Sequence, residues 1–243
     1  MNYRHAYHAG NHADVFKHLV LARIFALLGR KDTPYAYLDS HSGVGLYDLQ
    51  GDEASRTGEW EQGIARLWER EGLPEQLDDY LDVIRHLNPD GSLRYYPGSP
   101  ELARRLTRAQ DRVLLNELHP EDGRLLKANM AGERRVAVHQ GDGWLLPRAF
   151  LRQTVVVIWY PIKDERQLKR FYQALERSVA PKLLRAELHV HPIDDAERFN
   201  GSGLAIVNPP WPLEDELRDL LPWLAEVMAQ SQGGWRLDWL VAE

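Results

Sequence analysis

The stretch Tyr37-Leu38-Asp39-Ser40-His41-Ser42-Gly43-Val44-Gly45 constrains this chain more than any other. A short apolar run meets an acid and then a turn of small residues punctuated by two glycines. In α/β proteins such a junction marks the carboxyl end of a strand, where backbone N–H groups and a carboxylate face a ligand. An adenosine-type cofactor suits that chemistry. Tyr35 to Asp39 therefore reads as a buried strand.

The flanking sequence repeats the pattern. Asn11 is placed to cap a helix running to about Leu28, because Val15, Phe16, Leu19, Val20, Ile24 and Leu27 recur at three- and four-residue spacing. After Tyr95-Tyr96-Pro97-Gly98, Ser99 and Pro100 suit the cap and first turn of a helix over Glu101 to Gln110. Val113 to Glu117 is a strand, Glu121 to Met130 a helix, and Val136 to His139 a strand leading into Gln140-Gly141-Asp142-Gly143. Further strands are expected at Val155–Tyr160, Leu184–His191, Leu204–Asn208 and Trp235–Val241, with helices at Asp164–Ser178 and Glu214–Gln230. Strands alternating with helices imply an α/β fold with a mostly parallel sheet covered on both faces. Residues 58 to 88 interrupt the alternation. Trp60, Ile64, Leu67 and Trp68 form one helical stripe, and Leu77, Tyr80, Leu81, Ile84 and Leu87 another. The expected organisation is one domain built from residues 1–50 and 90–243, with residues 51–89 as a helical insertion.

Three strands end in an acid: Asp39, Glu117 and Asp142. Asp39 with Gly43 and Gly45 would shape the turn nearest the cofactor. Glu117 would accept from ribose hydroxyls. Asp142 would accept from an exocyclic adenine amine, with Gly143 permitting close approach. The competing reading is that these are ordinary helix caps and turn residues. Gly43-Val44-Gly45 continues as Leu46-Tyr47-Asp48, so the third glycine of a dinucleotide fingerprint is missing, and no Walker-type loop occurs. S-adenosylmethionine fits better, having adenosine and ribose but no phosphate to cradle.

Composition narrows the class. The 243 residues include no cysteine, which excludes disulfides and thiolate metal sites and fits a reducing cytoplasm. No signal-peptide pattern opens the sequence, and the most apolar run, Val155 to Trp159, is too short to span a bilayer. The net charge of −6 argues against indiscriminate coating of nucleic acid, so any such contact must be local. One candidate patch is the first 31 residues, where Arg4, Lys17, Arg23, Arg30 and Lys31 face a single acid, Asp14. An ordinary solvated face explains those cations equally well. His5, His8 and His12 beside Asp14 do not make a metal site, because His8 and His12 straddle the expected helix start and no third ligand has standard spacing. Trp60, Trp68, Trp223 and Trp239 sit in apolar patterns and read as core; Trp211, after two prolines, does not.

With the N-terminal block added, the chain resembles the RlmJ family, bacterial 23S rRNA adenine-N6 methyltransferases. The resemblance rests on the run from Tyr3 through His18, on Leu38 to Gly45, on Arg56-Thr57-Gly58-Glu59, and on Tyr95-Tyr96-Pro97-Gly98-Ser99-Pro100. Glu117-Leu118-His119-Pro120, Asp142-Gly143, Trp159-Tyr160-Pro161 and Asn208-Pro209-Pro210-Trp211 extend it over nearly the whole chain. It implies a Rossmann-like S-adenosylmethionine-dependent methyltransferase fold with a small helical insertion. Cofactor contacts would be His18, His41, Ser99, Glu117, Asp142 and Gly143, with Lys17 in the same motif as His18. Tyr3 and His5 would belong to a tail that meets the target adenosine, Tyr3 by stacking on the base. The partner would be 23S rRNA, and the negative net charge favours a protein-poor precursor or small element over an assembled ribosome.

The chain departs from the family at one place. The family carries an Asp-Pro-Pro-Tyr motif on the strand after the Asp142 strand, where it holds the target amine. Here residues 145–153 run straight into Thr154-Val155-Val156-Val157-Ile158-Trp159-Tyr160-Pro161. A strand and helix, on the order of 30 residues for such a unit, are missing. Three readings follow: the sequence in hand lacks a segment the protein has; the segment is lost, leaving a catalytically impaired homologue that binds the cofactor or nucleic acid; or Asn208-Pro209-Pro210-Trp211 substitutes. Loss of a central strand would break the sheet, which favours the first.

Overall fold

The computed structural model describes residues 4–143, 154–177 and 182–242. The chain divides into two compact units, Met1–Pro147 and Arg148–Glu243.

The first unit is organised around helix α1, His12–Gly29. Asn11 caps it as the sequence predicts, its side-chain oxygen accepting from the Ala13 and Asp14 amides at 3.0 Å each. The helix is buried nearly all round, not along one stripe. Leu21 and Phe25 pack with Val113 and Leu115 of strand β4 (Arg112–Glu117), while Arg23 reaches Asp79 of helix α4 (Asp78–Leu87) at 3.0 Å. Burial on nearly every side, polar His12, Asp14, His18 and Arg23 included, belongs to a helix enclosed by its neighbours.

Strand β1 (Ala36–Asp39), β4 and β5 (Val136–Gln140) form a parallel sheet in the order β1-β4-β5. Asp39 pairs with Leu115, and Glu117 with Gln140, so the carboxyl ends share one edge. β1 is not the buried strand that its apolar residues predict: Leu38 is 48% exposed. The reason is position, since among the described residues β1 borders the sheet and pairs with β4 alone. A short antiparallel pair, β2 (Leu46–Asp48) with β3 (Tyr95–Pro97), brackets the stretch expected to be an insertion, which contains α2 (Asp52–Thr57), α3 (Ala65–Trp68) and α4. The first expected helix of that insertion is broken at Gly63. A Cβ there would lie 2.0 Å from the Gly10 carbonyl, and the Ile64 amide donates to that same oxygen at 2.9 Å. Close backbone approach, which only glycine allows, overrides the helical periodicity. Helix α5 (Ser99–Leu106) packs on α1, and α6 (Pro120–Asn129) follows β4.

The second unit contains β6 (Val156–Ile162), α7 (Glu165–Glu176), β7 (Leu183–His189), β8 (Gly201–Val207), α8 (Leu213–Met228) and β9 (Gly234–Val241). Its sheet order is β6-β8-β7-β9, and every pairing is antiparallel. The expectation of a mostly parallel sheet is therefore corrected: among the described residues the parallel part has three strands, all in the first unit. A helix between two strands suggests a parallel crossover, but β7 pairs with β8 and β9 and never with β6. No helix among the described residues is long and apolar enough to cross a membrane.

Candidate functional site

Asp39 and Glu117 stand at adjacent strand ends, and each fixes part of the turn between them. Asp39 Oδ2 accepts from the Ser99 hydroxyl at 2.6 Å and from the Tyr37 hydroxyl at 3.0 Å, while Oδ1 accepts the His41 amide at 3.1 Å. Ser99 is thus not the helix cap that its position suggested. Gly98 occupies the cap, and the Ser99 hydroxyl is committed to Asp39. Burial and the Asp39 charge push the Tyr37 phenol well up, so it remains a donor.

Glu117 Oε2 accepts the Gly43 amide at 2.8 Å, and Oε1 accepts the His119 amide at 2.8 Å. A carboxylate has about four lone-pair directions, so each oxygen keeps acceptor capacity toward a hydroxyl. Asn116 ties the edge together. Its side-chain amide donates to the Ser40 carbonyl at 3.1 Å and the Gly141 carbonyl at 2.9 Å, joining the turns after β1 and β5. Ser42 completes the lattice, donating its amide to the Asn116 carbonyl at 3.0 Å and accepting the Asn116 amide on its hydroxyl at 3.1 Å.

Asp142 lies two residues beyond β5, and its neighbour Gly143 is required by the protein's own backbone. A Cβ on Gly143 would sit 2.3 Å from the Ser40 carbonyl and 3.1 Å from the His41 ring. His41 is exposed, with Nδ1 2.8 Å from the Ser40 hydroxyl. Gly43 has φ +63°, and a Cβ there would meet the Tyr47 hydroxyl at 2.4 Å.

The N-terminal segment reaches this turn from the other side. Arg4 donates to Asp122 of α6 at 3.1 Å. His5 Nε2 lies 2.9 Å from Asp14 Oδ2, and its ring meets Tyr47 edge-on at 5.4 Å. Asp14 also accepts the Gly10 amide at 3.0 Å and the Lys17 ammonium at 2.8 Å. Burial alone would raise the Asp14 carboxyl, but His5, Lys17 and His18 hold it well below the usual carboxylate range. Glu59 anchors the next turn, with Oε1 2.8 Å from His8 Nδ1 and Oε2 accepting from the Asn11 side-chain Nδ2 at 2.9 Å. A hollow of about 170 Å³ opens between Arg4, His5, Gly43, Val44, Tyr47 and Asp122. Small-molecule sites usually offer ~300–1,000 Å³, so it has room for only part of a nucleoside cofactor.

The structure therefore gathers Asp39, His41, Ser99, Glu117, Asp142 and Gly143 along one edge. His18 sits apart from solvent at 1% exposure, its Nδ1 2.9 Å from the Tyr96 hydroxyl, which lies 3.0 Å from the Tyr80 hydroxyl. Burial, with Lys17 alongside, pushes the His18 imidazole down to about 3. It supports α1 and β3 from within. Tyr3 lies outside the described residues, as do residues 144–153, where the expected Asp-Pro-Pro-Tyr segment would begin. Asn116, Tyr37, Tyr47, Asp122 and Glu59 were not singled out from sequence. A polar residue at the otherwise apolar β4 position beside Glu117 was the available signal for Asn116.

Asn208 is placed differently from a strand-end acid of the parallel sheet. Val207 pairs with Val156 at the start of β6, and the Asn208 side-chain Nδ2 donates to the Thr154 carbonyl at 3.1 Å. Its motif thus follows the carboxyl end of β8, next to the amino end of antiparallel β6.

A family model described as "Ribosomal RNA large subunit methyltransferase D, RlmJ" matches residues 32–154 and 151–241. The chain belongs to the RlmJ family. Among its relatives, the Escherichia coli (strain K12) ribosomal RNA large subunit methyltransferase J is 38% identical over 279 aligned positions, covering 100% of both chains. The Haemophilus influenzae protein of the same name is 37% identical over 280 positions, again covering 100% of both. The crystal structure of protein LPL1258 from Legionella pneumophila superposes with a TM-score of 0.83 at 30% identity, covering 95% of this chain and 97% of that one. The Rossmann-like methyltransferase architecture follows from this membership and from the parallel sheet. Both RlmJ alignments are longer than this chain's 243 residues, so the relatives carry residues it lacks. The two family-matched stretches meet at residues 151–154, the place where the missing strand was inferred.

Proposed function

We propose that this RlmJ-family chain binds S-adenosylmethionine along the carboxyl edge of β1, β4 and β5 and methylates an adenine exocyclic amine in 23S rRNA. The observation that carries the reading is the grip of Glu117 on the Gly43 amide at 2.8 Å. It sets a carboxylate with spare acceptor capacity beside a glycine turn, the chemistry a ribose diol needs. The acceptor set fits the cofactor: Glu117 for the ribose hydroxyls and Asp142 for the adenine amine, with His41, Ser99 and Gly143 around them. His18 acts behind this edge through Tyr96. The cofactor, when bound, supplies an electrophilic methyl group.

The chain's own residues do the positioning. Ser99, Tyr37 and the His41 amide fix Asp39, so the turn is formed before the ligand arrives and little ordering entropy remains to be lost. Tyr3 and His5 meet the target adenosine, with His5 oriented by Asp14. The amine loses its proton after attack, so no dedicated base is required. The target is a small or protein-poor rRNA element, in keeping with the net charge of −6.

Transfer of a labelled methyl group to unmodified 23S rRNA fragments, followed by nucleoside digestion, tests the reading. N6-methyladenosine is the expected product. Cofactor binding with no transfer to any rRNA fragment would overturn it.

A further inference from the structure

Helix α7 divides its faces sharply. Leu168, Phe171, Tyr172 and Leu175 pack onto the apolar cluster of the second unit, with Tyr160, Ile162 and Leu183. At about 100° per residue, Arg166, Arg170 and Arg177 project within ~30° of the direction opposite that face. All three are exposed, and none makes an ion pair among the described residues. The acids of the segment lie elsewhere. Asp164 is the helix cap, accepting the Arg166 amide, and Glu165 pairs with Lys169 at 3.0 Å on the flank. Glu176 falls on that same flank. Gln173, one turn after Arg170 on the outer face, adds a neutral donor and no negative charge. The stripe runs ~16 Å, with its first two guanidinium groups about one turn apart.

These three arginines, on one face of α7 and its C-cap and without an ion pair among the described residues, concentrate positive charge in a chain of net charge −6. Helix α8 shows the contrast, with Glu214, Asp215, Glu216, Asp219 and Glu226 against Arg218, which is itself paired to Glu214. The apolar face of α7 is already buried, so the helix has nothing to insert into a lipid surface. Guanidinium forks match phosphate oxygens in pairs, and long flexible stems let successive arginines follow a curved polyanion.

We propose that Arg166, Arg170 and Arg177 form a phosphate-binding stripe that engages the RNA backbone. The proposal rests on the reading of the chain as an rRNA methyltransferase and adds a backbone contact made by the second unit. Such contacts add affinity without reading sequence.

The test measures equilibrium binding of a 23S rRNA fragment across salt concentrations, with wild-type protein and the R166Q/R170Q/R177Q variant. Each phosphate contact on single-stranded RNA contributes ~0.7 to the slope of log K against log salt, so the variant should lose about 2 from that slope and bind roughly tenfold or more weakly. R166K/R170K/R177K should restore most of the slope, because charge and not guanidinium packing sets it. R85Q/R218Q, which removes arginines paired with Asp82 and Glu214, should leave affinity within about twofold if the effect is local rather than a response to net charge. Unchanged cofactor affinity and thermal midpoint would confirm that the folded site is intact. An unaltered slope in the triple Gln variant, with wild-type protein binding normally, overturns the stripe and leaves the methyltransferase reading standing. Failure of the wild type to bind any rRNA fragment overturns both.

Discussion

Glu117 Oε2 and the Gly43 amide are 2.8 Å apart, so the end of β4 holds the turn that leaves β1. The other oxygen holds the His119 amide. E117A would leave two backbone donors without their acceptor, costing about 1–3 kcal/mol of stability. If the same carboxylate receives the ribose, affinity for S-adenosylhomocysteine falls at least ~10-fold, the worth of one charged hydrogen bond. Calorimetric titration of E117A and E117Q checks this; affinity within twofold of wild type would remove Glu117 from the cofactor site.

Gly43 and Tyr47 form a second testable pair. G43A suffers twice, from a Cβ 2.4 Å from the Tyr47 hydroxyl and from φ +63°, which alone costs an alanine ~1–2 kcal/mol. Removing the hydroxyl leaves the nearest ring atom at an ordinary 3.7 Å. G43A should therefore cost less in the Y47F background, by about 1–2 kcal/mol of coupling in a double-mutant cycle. Urea denaturation of the four proteins measures it, and strict additivity would mean that the two side chains do not compete for that space.

The His18 imidazole, pushed down to about 3 from an ordinary 6.5, links stability to pH. Below 6.5 the unfolded chain takes a proton that the folded chain refuses, so stability falls as pH drops from 6.5 toward 3 and is unaffected by this group above that window. Asp14, whose carboxyl is held low, adds a loss in the same direction as pH falls through the carboxylate range. H18Q should lose the slope between pH 6.5 and 4.5 while retaining the steeper acid limb. Unfolding free energies at half-unit pH steps test this, and a slope shared by wild type and H18Q would contradict it.

Glu59 links the insertion to the N-terminal segment through His8 and Asn11. E59A should destabilise by about 1–2 kcal/mol, the usual cost of stranding charge-assisted partners. The more specific sign is local: amides of residues 5–11 should exchange faster while those of β4 keep their protection. Uniform loss of protection would show that Glu59 stabilises the whole unit and not the segment alone.

The strands that end at Asp39 and Glu117, and the Asn11 cap of α1, were legible in the sequence because each depends on local chemistry. An apolar run followed by an acid and glycine makes a strand end wherever it packs, and an Asx side chain satisfies orphan amides within three residues. The resemblance carried the family for the same reason, since its motifs are contiguous. Partner identity was not legible. Gly143 read as room for adenine, yet the atom it accommodates is the Ser40 carbonyl. Ser99 read as a cap, yet its hydroxyl belongs to Asp39, sixty residues away. His18 read as a ligand contact, yet it is enclosed with Tyr96. Hydrophobic periodicity also records no strand direction, so the antiparallel β6-β8-β7-β9 sheet could not be told from a parallel one. Sequence alone determined the strand ends and the chemistry they carry. Tertiary structure decided which groups face each other and which remain available, because contacts between distant residues depend on register and packing that no local pattern encodes.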